Sequence, residues 1–377
     1  MDNLIQRTIQ QSIEKALFKG KIIVLYGARQ VGKTTLVQQI IKNITASSRY
    51  FNCDEPDIRS ALTDKTSTEL KSFLGGSALV VIDEAQRVKN IGITLKLLID
   101  TYPDMHIIAT GSSLFDLSNK IVEPLTGRKY EFYLYPCSLH ELYTPATPLE
   151  IDRLLERRII FGMYPEIVQT QGNVEEKLKE ITRSYLFRDI MRFDRIKNSE
   201  AVEKLLQALA LQIGNEVSYN ELATLVGINK RTVQTYMQIL EKSFIIFRLQ
   251  PLSRNLRNEL KKLRKIYFYD TGIRNALINN FNPLELRQDV GALWENFILS
   301  ERIKYNHNNG HTVNMYFWRT TAGAEIDYVE ERDGTFHAFE CKWNKDTYKP
   351  PTAFMSAYPQ STAEVINKQN YKGFVGL

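Results

Sequence analysis

The fold of the N-terminal part of the chain is decided by the stretch Gly27-Ala28-Arg29-Gln30-Val31-Gly32-Lys33-Thr34. It fits the pattern GxxxxGK[ST]; the apolar run KIIVLY (21–26) precedes it, and a helical pattern follows from Lys33 to about Lys42. A strand, a glycine-containing loop and a helix in this order predict a phosphate-binding loop. Glycines let backbone N–H groups curl around phosphate oxygens, and the helix adds the positive end of its dipole. The alternative is a simple turn before a helix.

The side chains of this loop have distinct expected roles. Lys33 would reach the β- and γ-phosphates, and the Thr34 hydroxyl would ligate Mg²⁺. The predicted cofactors are therefore ATP and Mg²⁺. The residues expected to bind the nucleotide are Gly27, Ala28, Arg29, Gln30, Val31, Gly32, Lys33, Thr34 and Thr35.

A second apolar run, Ala78 to Ile82, ends in the acidic pair Asp83-Glu84. The carboxyl ends of parallel strands are where α/β sheets bind ligands. Asp83 would hold Mg²⁺ through water, and Glu84 would polarise the attacking water as a catalytic residue. An acidic pair so placed favours hydrolysis over mere nucleotide binding. It argues against a small-molecule kinase, which usually needs no second acid.

A third apolar run, HIIAT (106–110), leads to a further candidate catalytic residue. Ser112 would contact the γ-phosphate or water, with Thr110 and Ser113 as alternatives and a plain Gly-Ser turn as the competing interpretation. Arg128 is a candidate charge-stabilising arginine that would act in cis or in trans, unless it is a solvated surface arginine.

A resemblance to a known family rests on GARQVGKTTL, LVVIDEAQRV, the ATGSS turn and LTGRKYEFYLYPCSLHEL. These residues resemble a prokaryotic family of AAA-type ATPases, whose members join this module to a C-terminal region of uncharacterised function. The match extends through GMYPEIV (162–168), YLFRDI (185–190) and YFYDTG (267–272), so it covers nearly the whole chain. The resemblance implies ATP binding and Mg²⁺-dependent hydrolysis. AAA-type modules often form rings, so a homo-oligomer is a further expectation.

The formal charge of +6 is unevenly distributed along the chain. Residues 229–265 hold ten Lys or Arg and two Glu, a net +8, so the remainder is −2. Such asymmetry often marks a nucleic-acid or membrane surface. No apolar run approaches the ~18 residues that would span a bilayer, and no membrane partner is predicted. Double-stranded DNA is the expected partner because of the helix-turn-helix pattern on which the basic residues lie.

The basic block lies on a helix-turn-helix pattern. Ser218 and Glu221 form a predicted capping box, and Asn229 would cap the helix that runs from Lys230 to about Lys242. Two strand-like runs, SFIIFRL and IYFYD, would complete a winged helix. Side chains predicted to meet the major groove are Lys230, Arg231, Thr232 and Gln234. Phosphate contacts are expected from Arg254, Arg257, Lys261, Lys262, Arg264 and Lys265. The alternative is a winged helix that binds a protein or regulates its own chain.

A second candidate site follows residue 290. Asp327 and Glu340 lie on strands joined by a predicted hairpin at Asp333-Gly334, and Lys342 shares a strand face with Glu340. This D…ExK arrangement resembles the PD-(D/E)xK nuclease superfamily, although Ile326 stands where the superfamily has proline. The resemblance implies that Asp327 and Glu340 hold Mg²⁺ or Mn²⁺ and that Lys342 orients water or helps to deprotonate it.

Two more acids bear on this candidate nuclease site. Glu295, on a predicted helix, would match the helix-borne acid that many members of the superfamily add. Glu325 is an alternative ligand or a solvated neighbour of Asp327. Since the superfamily fold is often retained without activity, nuclease activity is left open.

The three cysteines Cys53, Cys137 and Cys341 form no CxxC pair and no Cys/His cluster. This argues against a structural zinc site and against a disulfide framework. The polar N-terminus, 1–17, is expected to be an amphipathic helix rather than a signal peptide, and a cytoplasmic location is predicted.

The sequence thus predicts a multidomain α/β protein. Its expected parts are an AAA-like P-loop NTPase domain with a parallel sheet (1–150), a helical lid or linker (151–191), a winged helix (192–258) and a restriction-endonuclease-like α/β domain (259–377). The expected function is an ATPase whose nucleotide state controls DNA engagement. The alternative is a nucleotide-controlled switch whose C-terminal half binds a protein and cleaves nothing.

Overall fold

The computed structural model describes residues 4–112, 121, 124–143, 148–190, 196, 198–252 and 264–377. The chain divides into two compact units, Met1–Pro136 with Lys242–Phe244, and Cys137–Glu241 with Ile245–Leu377. The main segment of the first unit ends before the predicted boundary at 150. The three predicted C-terminal parts lie within the second unit except for Lys242–Phe244, which belongs to the first. The four-part division stays a prediction.

The first unit is built on a parallel five-stranded sheet of order β2-β3-β4-β1-β5. The strands are β1 (Ile22–Gly27), β2 (Ser48–Asn52), β3 (Leu79–Asp83), β4 (His106–Gly111) and β5 (Lys129–Leu134). The helices are α1 (Ile9–Ala16), α2 (Lys33–Asn43), α3 (Pro56–Leu62), α4 (Ser67–Leu74) and α5 (Ile91–Thr101), with a 3₁₀ turn at Ala85–Arg87. Every residue of β1 and β3 is buried, as expected for parallel strands covered on both faces. This sheet confirms the predicted P-loop NTPase architecture.

The second unit is built on a mixed seven-stranded sheet of order β12-β11-β10-β9-β7-β8-β6. Its strands are β6 (Glu216–Val217), β7 (Ile246–Pro251), β8 (Arg264–Phe268), β9 (Asn314–Arg319), β10 (Glu325–Arg332), β11 (Thr335–Cys341) and β12 (Thr362–Ile366). Its helices are α6 (Leu139–Tyr143), α7 (Pro148–Phe161), α8 (Pro165–Gln169), α9 (Val174–Ile190), α10 (Ser199–Leu211), α11 (Tyr219–Val226), α12 (Lys230–Lys242), α13 (Thr271–Leu277), α14 (Val290–Asn308), α15 (Thr352–Ala357) and α16 (Tyr371–Phe374), with a 3₁₀ turn at Leu284–Leu286.

Strand pairing in this sheet crosses the predicted boundary at 258. β8 pairs antiparallel with β7 and with β6, and β7 pairs parallel with β9. The predicted winged-helix and nuclease-like segments therefore share one hydrogen-bonded sheet. The predicted hairpin at Asp333-Gly334 is present: both residues have positive φ, and the turn joins β10 to the antiparallel β11.

The turn between α11 and α12 forms largely as its residues predict. Gly227 ends α11 in the left-handed conformation, at φ 76°. The Asn229 side chain accepts a hydrogen bond from the Thr232 backbone N–H at 2.8 Å and caps α12. The predicted capping box is wrong in one respect, because the Ser218 side chain makes no capping hydrogen bond.

The GMYPEIV and YFYDTG motifs contact one another inside the second unit. The buried carboxylate of Asp270 accepts hydrogen bonds from the backbone N–H groups of Met163, at 2.6 Å, and Ile273, at 3.0 Å. Gly162 has φ 79°, and a Cβ there would collide with the Asp270 carboxylate; a Cβ on Gly272 would collide with the Phe161 carbonyl. We name this contact the Gly162–Asp270 joint. The two motifs therefore have a structural role, while the side chains of 185–189 in YLFRDI lie outside the described residues.

Candidate nucleotide and carboxylate sites

The phosphate-binding loop begins where β1 ends and finishes where α2 begins. Gly32, the residue before α2, is left-handed at φ 95°, which favours glycine. Gly27 is required for a different reason, since a Cβ there would overlap the backbone carbonyl of Leu134 on the neighbouring β5. The backbone path from β1 into α2 therefore requires glycine at Gly27 and favours it at Gly32.

We expect Gly27→Ala to destabilise the first unit by about 2 kcal/mol, because a backbone carbonyl on a paired strand cannot move aside. The measurement is thermal unfolding followed by circular dichroism. Gly76→Ala is the matched control, since a Cβ at Gly76 would meet nothing within 4 Å. Equal melting temperatures for the two variants would contradict the predicted collision.

Lys33 is buried, and its Nζ donates hydrogen bonds to the carbonyls of Gly27 at 2.9 Å and Ala28 at 2.8 Å. The ammonium therefore lies against the loop that would hold the phosphates. A phosphate oxygen carries full charge, so it is a stronger acceptor for this ammonium than either carbonyl.

Asp83, at the end of β3, accepts hydrogen bonds from hydroxyl groups on three neighbouring elements. Its Oδ2 accepts hydrogen bonds from Thr34 at 2.7 Å and Tyr50 at 2.5 Å, and its Oδ1 accepts one from Thr110. Burial and the Asp83 carboxylate raise the pKa of Tyr50. The Thr34 hydroxyl and the Asp83 carboxylate are oxygen donors of the kind that Mg²⁺ takes, so the residues fit the predicted ion.

Glu84 and Ser112 are brought together by a residue that the sequence did not single out. Gln86 Nε2 donates to Glu84 Oε2 and to Ser112 Oγ, the latter at 3.0 Å. Thr110 also accepts a hydrogen bond from the Glu84 backbone N–H at 3.1 Å. Predicted residues from β3 and β4 therefore lie in one network beside Asp83. The DEAQ sequence was a usable signal for Gln86, whereas nothing local indicated Tyr50.

Arg128 is not brought to the phosphate site. Its carbonyl accepts a hydrogen bond from the N–H of Ile22, the first residue of β1. The phosphate-binding loop begins at the opposite end of β1, at Gly27. At about 3.3 Å per residue, the length of β1 separates the two by roughly 17 Å. The guanidinium instead pairs with Asp100 at 2.6 Å. The structure therefore contradicts the predicted role in cis, and a role in trans stays a prediction.

In the second unit, three of the acids near the predicted nuclease site surround Lys265, a lysine that the sequence had assigned to the DNA-binding surface. Lys265, on β8, has its Nζ 2.5 Å from Glu325, 3.2 Å from Glu295 and 3.4 Å from Asp327. Lys342 Nζ lies 2.7 Å from Glu340 Oε1. We name the set Lys265, Glu295, Glu325, Asp327, Glu340 and Lys342 the carboxylate cluster.

The electrostatics of the cluster follow from burial. Burial, then the charge of Asp327, raises the pKa of Glu295 to about 7. Burial alone would lower the pKa of Lys265, but the charges of Glu295, Asp327 and Glu325 raise it above its usual value. The prediction that Lys265 contacts phosphates is wrong, because its side chain is only 2% exposed and its charge points at carboxylates.

No group of three or more His, Cys, Asp or Glu side chains in the described residues is arranged to hold a metal ion. The second divalent ion, on Glu295, Asp327 and Glu340, therefore stays a prediction. The three cysteines are free and buried.

The predicted recognition residues lie at the start of α12. Lys230, Arg231 and Gln234 are exposed, and Thr232 is partly exposed. Arg264 lies over the Tyr219 ring, with its guanidinium carbon 5.3 Å from the ring centre. Five other predicted positions lie outside the described residues: Ser113, Arg254, Arg257, Lys261 and Lys262.

Comparison with known proteins addresses the first unit directly. Residues 19–143 match the family model described as an AAA domain. The match covers all five strands of the parallel sheet, from β1 to β5. This confirms the predicted AAA-type P-loop module, whose family implies ATP and Mg²⁺. Residues 152–284 and 290–372 match two families described as domains of unknown function, DUF8612 and DUF4143.

Similar proteins extend over most of the chain. An uncharacterized protein of Mycobacterium tuberculosis is 27% identical over 342 residues, 89% of this chain and 74% of its own. One of Methanocaldococcus jannaschii is 26% identical over 316 residues, 78% of this chain and 69% of its own. A Walker-type ATPase of Pyrococcus abyssi has a similar structure, with a TM-score of 0.51 and 16% identity over 74% of this chain and 97% of that one. The last likeness concerns the fold. In the described residues no helix is long and apolar enough to cross a membrane.

Proposed function

We propose that this protein is a Mg²⁺-dependent ATPase whose nucleotide state controls DNA engagement by the second unit. The observation that carries the ATPase part is the network beside the loop. Asp83 and Thr34 share a hydrogen bond of 2.7 Å, and Gln86 links Glu84 to Ser112. Mg²⁺ bound there would neutralise phosphate charge. Glu84 would orient the attacking water and accept its proton, while Gln86 and Ser112 would hold the Glu84 carboxylate in place.

The DNA part of the proposal rests on the order of elements from α10 to β8. The chain runs α10, β6, α11, α12, β7 and β8, and β8 lies between β6 and β7 in the sheet. This order is that of a winged helix, in which α12 would enter the major groove. Lys230, Arg231 and Gln234 are exposed at its N-terminal end, where groove contacts are made.

The decisive experiment is steady-state ATP turnover with and without duplex DNA, single-stranded DNA and RNA. We expect duplex DNA to stimulate turnover and to bind with a strong salt dependence in fluorescence anisotropy. Stimulation by a protein but not by DNA would favour the alternative, a nucleotide-controlled switch. No binding of duplex at low salt would also refute the DNA part.

Charge reversal at the start of α12 tests the proposed surface. We expect the double variant Lys230→Glu/Arg231→Glu to weaken duplex binding at least about 100-fold, since two phosphate or base contacts become repulsions. Lys204→Glu is the control, because Lys204 is an exposed lysine on a different helix, α10. Equal losses in both variants would show a nonspecific charge effect.

The alternative also has a specific observation in its favour. Glu295, Asp327, Glu340 and Lys342 lie together, which supports a nuclease-like second unit. However, Glu295 and Asp327 are already paired with Lys265, and Glu340 is paired with Lys342. A switch that cleaves nothing is therefore compatible with the cluster. A cytoplasmic location, and a homo-oligomer in which Arg128 acts in trans, remain parts of the proposal.

A further inference from the structure

The carboxylate cluster poses a problem of charge. Glu295, Asp327 and Glu340 are each at most 8% exposed, and like charges brought together out of water strongly disfavour ionisation. A nuclease-like site solves this problem with a divalent cation. In this protein a positive charge is already present, because Lys265 reaches the acids from β8.

We propose that the Lys265 ammonium takes the place of a divalent cation among Glu295, Glu325 and Asp327, so that the native protein binds no divalent metal there. This inference is independent of the ATPase function. It concerns the chemistry of the second unit alone.

The contacts of Lys265 match the needs of an ammonium. Its three N–H donors face three acceptors, one oxygen each from Glu325, Glu295 and Asp327, at 2.5, 3.2 and 3.4 Å. Oxygen ligands bind Mg²⁺ at about 2.0–2.1 Å, so an ion coordinated by all three of these oxygens would have to take the position of this nitrogen. A divalent ion placed beside the ammonium would also be repelled by it.

The acids also accept hydrogen bonds from other donors, one of them on the same Glu295 oxygen that Lys265 contacts. The Tyr267 hydroxyl donates to Glu295 Oε1 at 2.5 Å, and the Cys341 backbone N–H donates to Asp327 Oδ2 at 2.9 Å. Glu340 differs, because its Oε1 pairs with Lys342 while its buried Oε2 has no hydrogen-bond partner among the described residues. Removal of the Lys265 ammonium would free Glu295 Oε1, Glu325 Oε1 and Asp327 Oδ1 to move inward around a hard cation, which their present arrangement does not hold.

The test is Mn²⁺ binding to the full chain with and without Lys265. Lys265→Met removes the charge but keeps an unbranched side chain. Both proteins would carry Asp83→Asn, so that the first unit contributes no strong metal site. We expect no effect of Mn²⁺ on the melting temperature when Lys265 is present. In Lys265→Met we expect an increase of at least about 5 °C at saturating Mn²⁺, together with saturable binding by calorimetry.

Two controls separate this effect from the general loss of a buried charge. Lys304→Met removes another buried lysine, whose Nζ lies 2.6 Å from Glu301, and should gain no Mn²⁺ site. Adding Asp327→Asn to Lys265→Met should abolish the gained binding.

Binding of Mn²⁺ with Lys265 present, if lost in Asp327→Asn, would overturn the proposal. So would a folded Lys265→Met variant that binds no Mn²⁺. If Lys265→Met is unfolded without metal, recovery of a cooperative unfolding transition on adding Mn²⁺ supports the proposal, and failure to recover it counts against it.

Discussion

Replacing Lys33 with alanine is expected to abolish nearly all ATP turnover. The ammonium lies against the phosphate-binding loop, and loss of a hydrogen bond to a charged group costs about 1.5–3 kcal/mol. Lys33 would contact two phosphates, so kcat/KM for ATP should fall at least about 100-fold. Calorimetric titration with ATP and a steady-state phosphate-release assay would measure binding and turnover separately.

The control for this prediction lies on the same helix. Lys42 is exposed near the C-terminal end of α2, so Lys42→Ala should leave binding and turnover close to normal. A folded Lys33→Ala variant with undiminished turnover would overturn the assignment of the phosphate site.

Replacing Gly162 with alanine is expected to be among the most destabilising changes in the second unit. The Gly162–Asp270 joint leaves no space for a Cβ, and φ 79° is unfavourable for alanine. The Asp270 carboxylate would have to move, which would break its hydrogen bonds to two backbone N–H groups inside the protein. We expect a loss of about 3 kcal/mol or more in the free energy of unfolding, measured by urea titration.

Gly172→Ala isolates the contribution of the backbone. Gly172 also has positive φ, 113°, but a Cβ there would meet nothing within 4 Å. Its variant should therefore show only the backbone cost, about 1 kcal/mol. If the two variants lost equal stability, the collision with Asp270 would not be the cause.

Local patterns were enough to predict that several polar residues lie together at the ends of the strands. The buried strands β1, β3 and β4 are continuous apolar runs, and each carries its polar residues directly at its end, so Asp83, Glu84 and Ser112 could be placed without knowing the strand order. Arg128 could not be placed in this way, because its position depends on which strand β5 pairs with and in which direction.

The fate of Lys265 shows what a charge count omits. It belongs to a basic run, and the run as a whole predicted a surface. Side chains alternate along β8, so Lys265 and Tyr267 point to the same face of the strand, and both contact Glu295. That contact joins residues thirty positions apart and cannot be read from either segment alone.

The shared sheet of the second unit has a consequence for how that unit comes apart. β7 pairs with β8 over four residue pairs and with β9 over two, so the helix-turn-helix segment and the carboxylate cluster are tied by the same backbone ladder. A single cut in 253–263 would leave two fragments still held together as a noncovalent complex. If the fragments were separated, β7 in one and β8 and β9 in the other would each expose an unpaired, aggregation-prone edge. Breaking the chain there is therefore different from separating two domains.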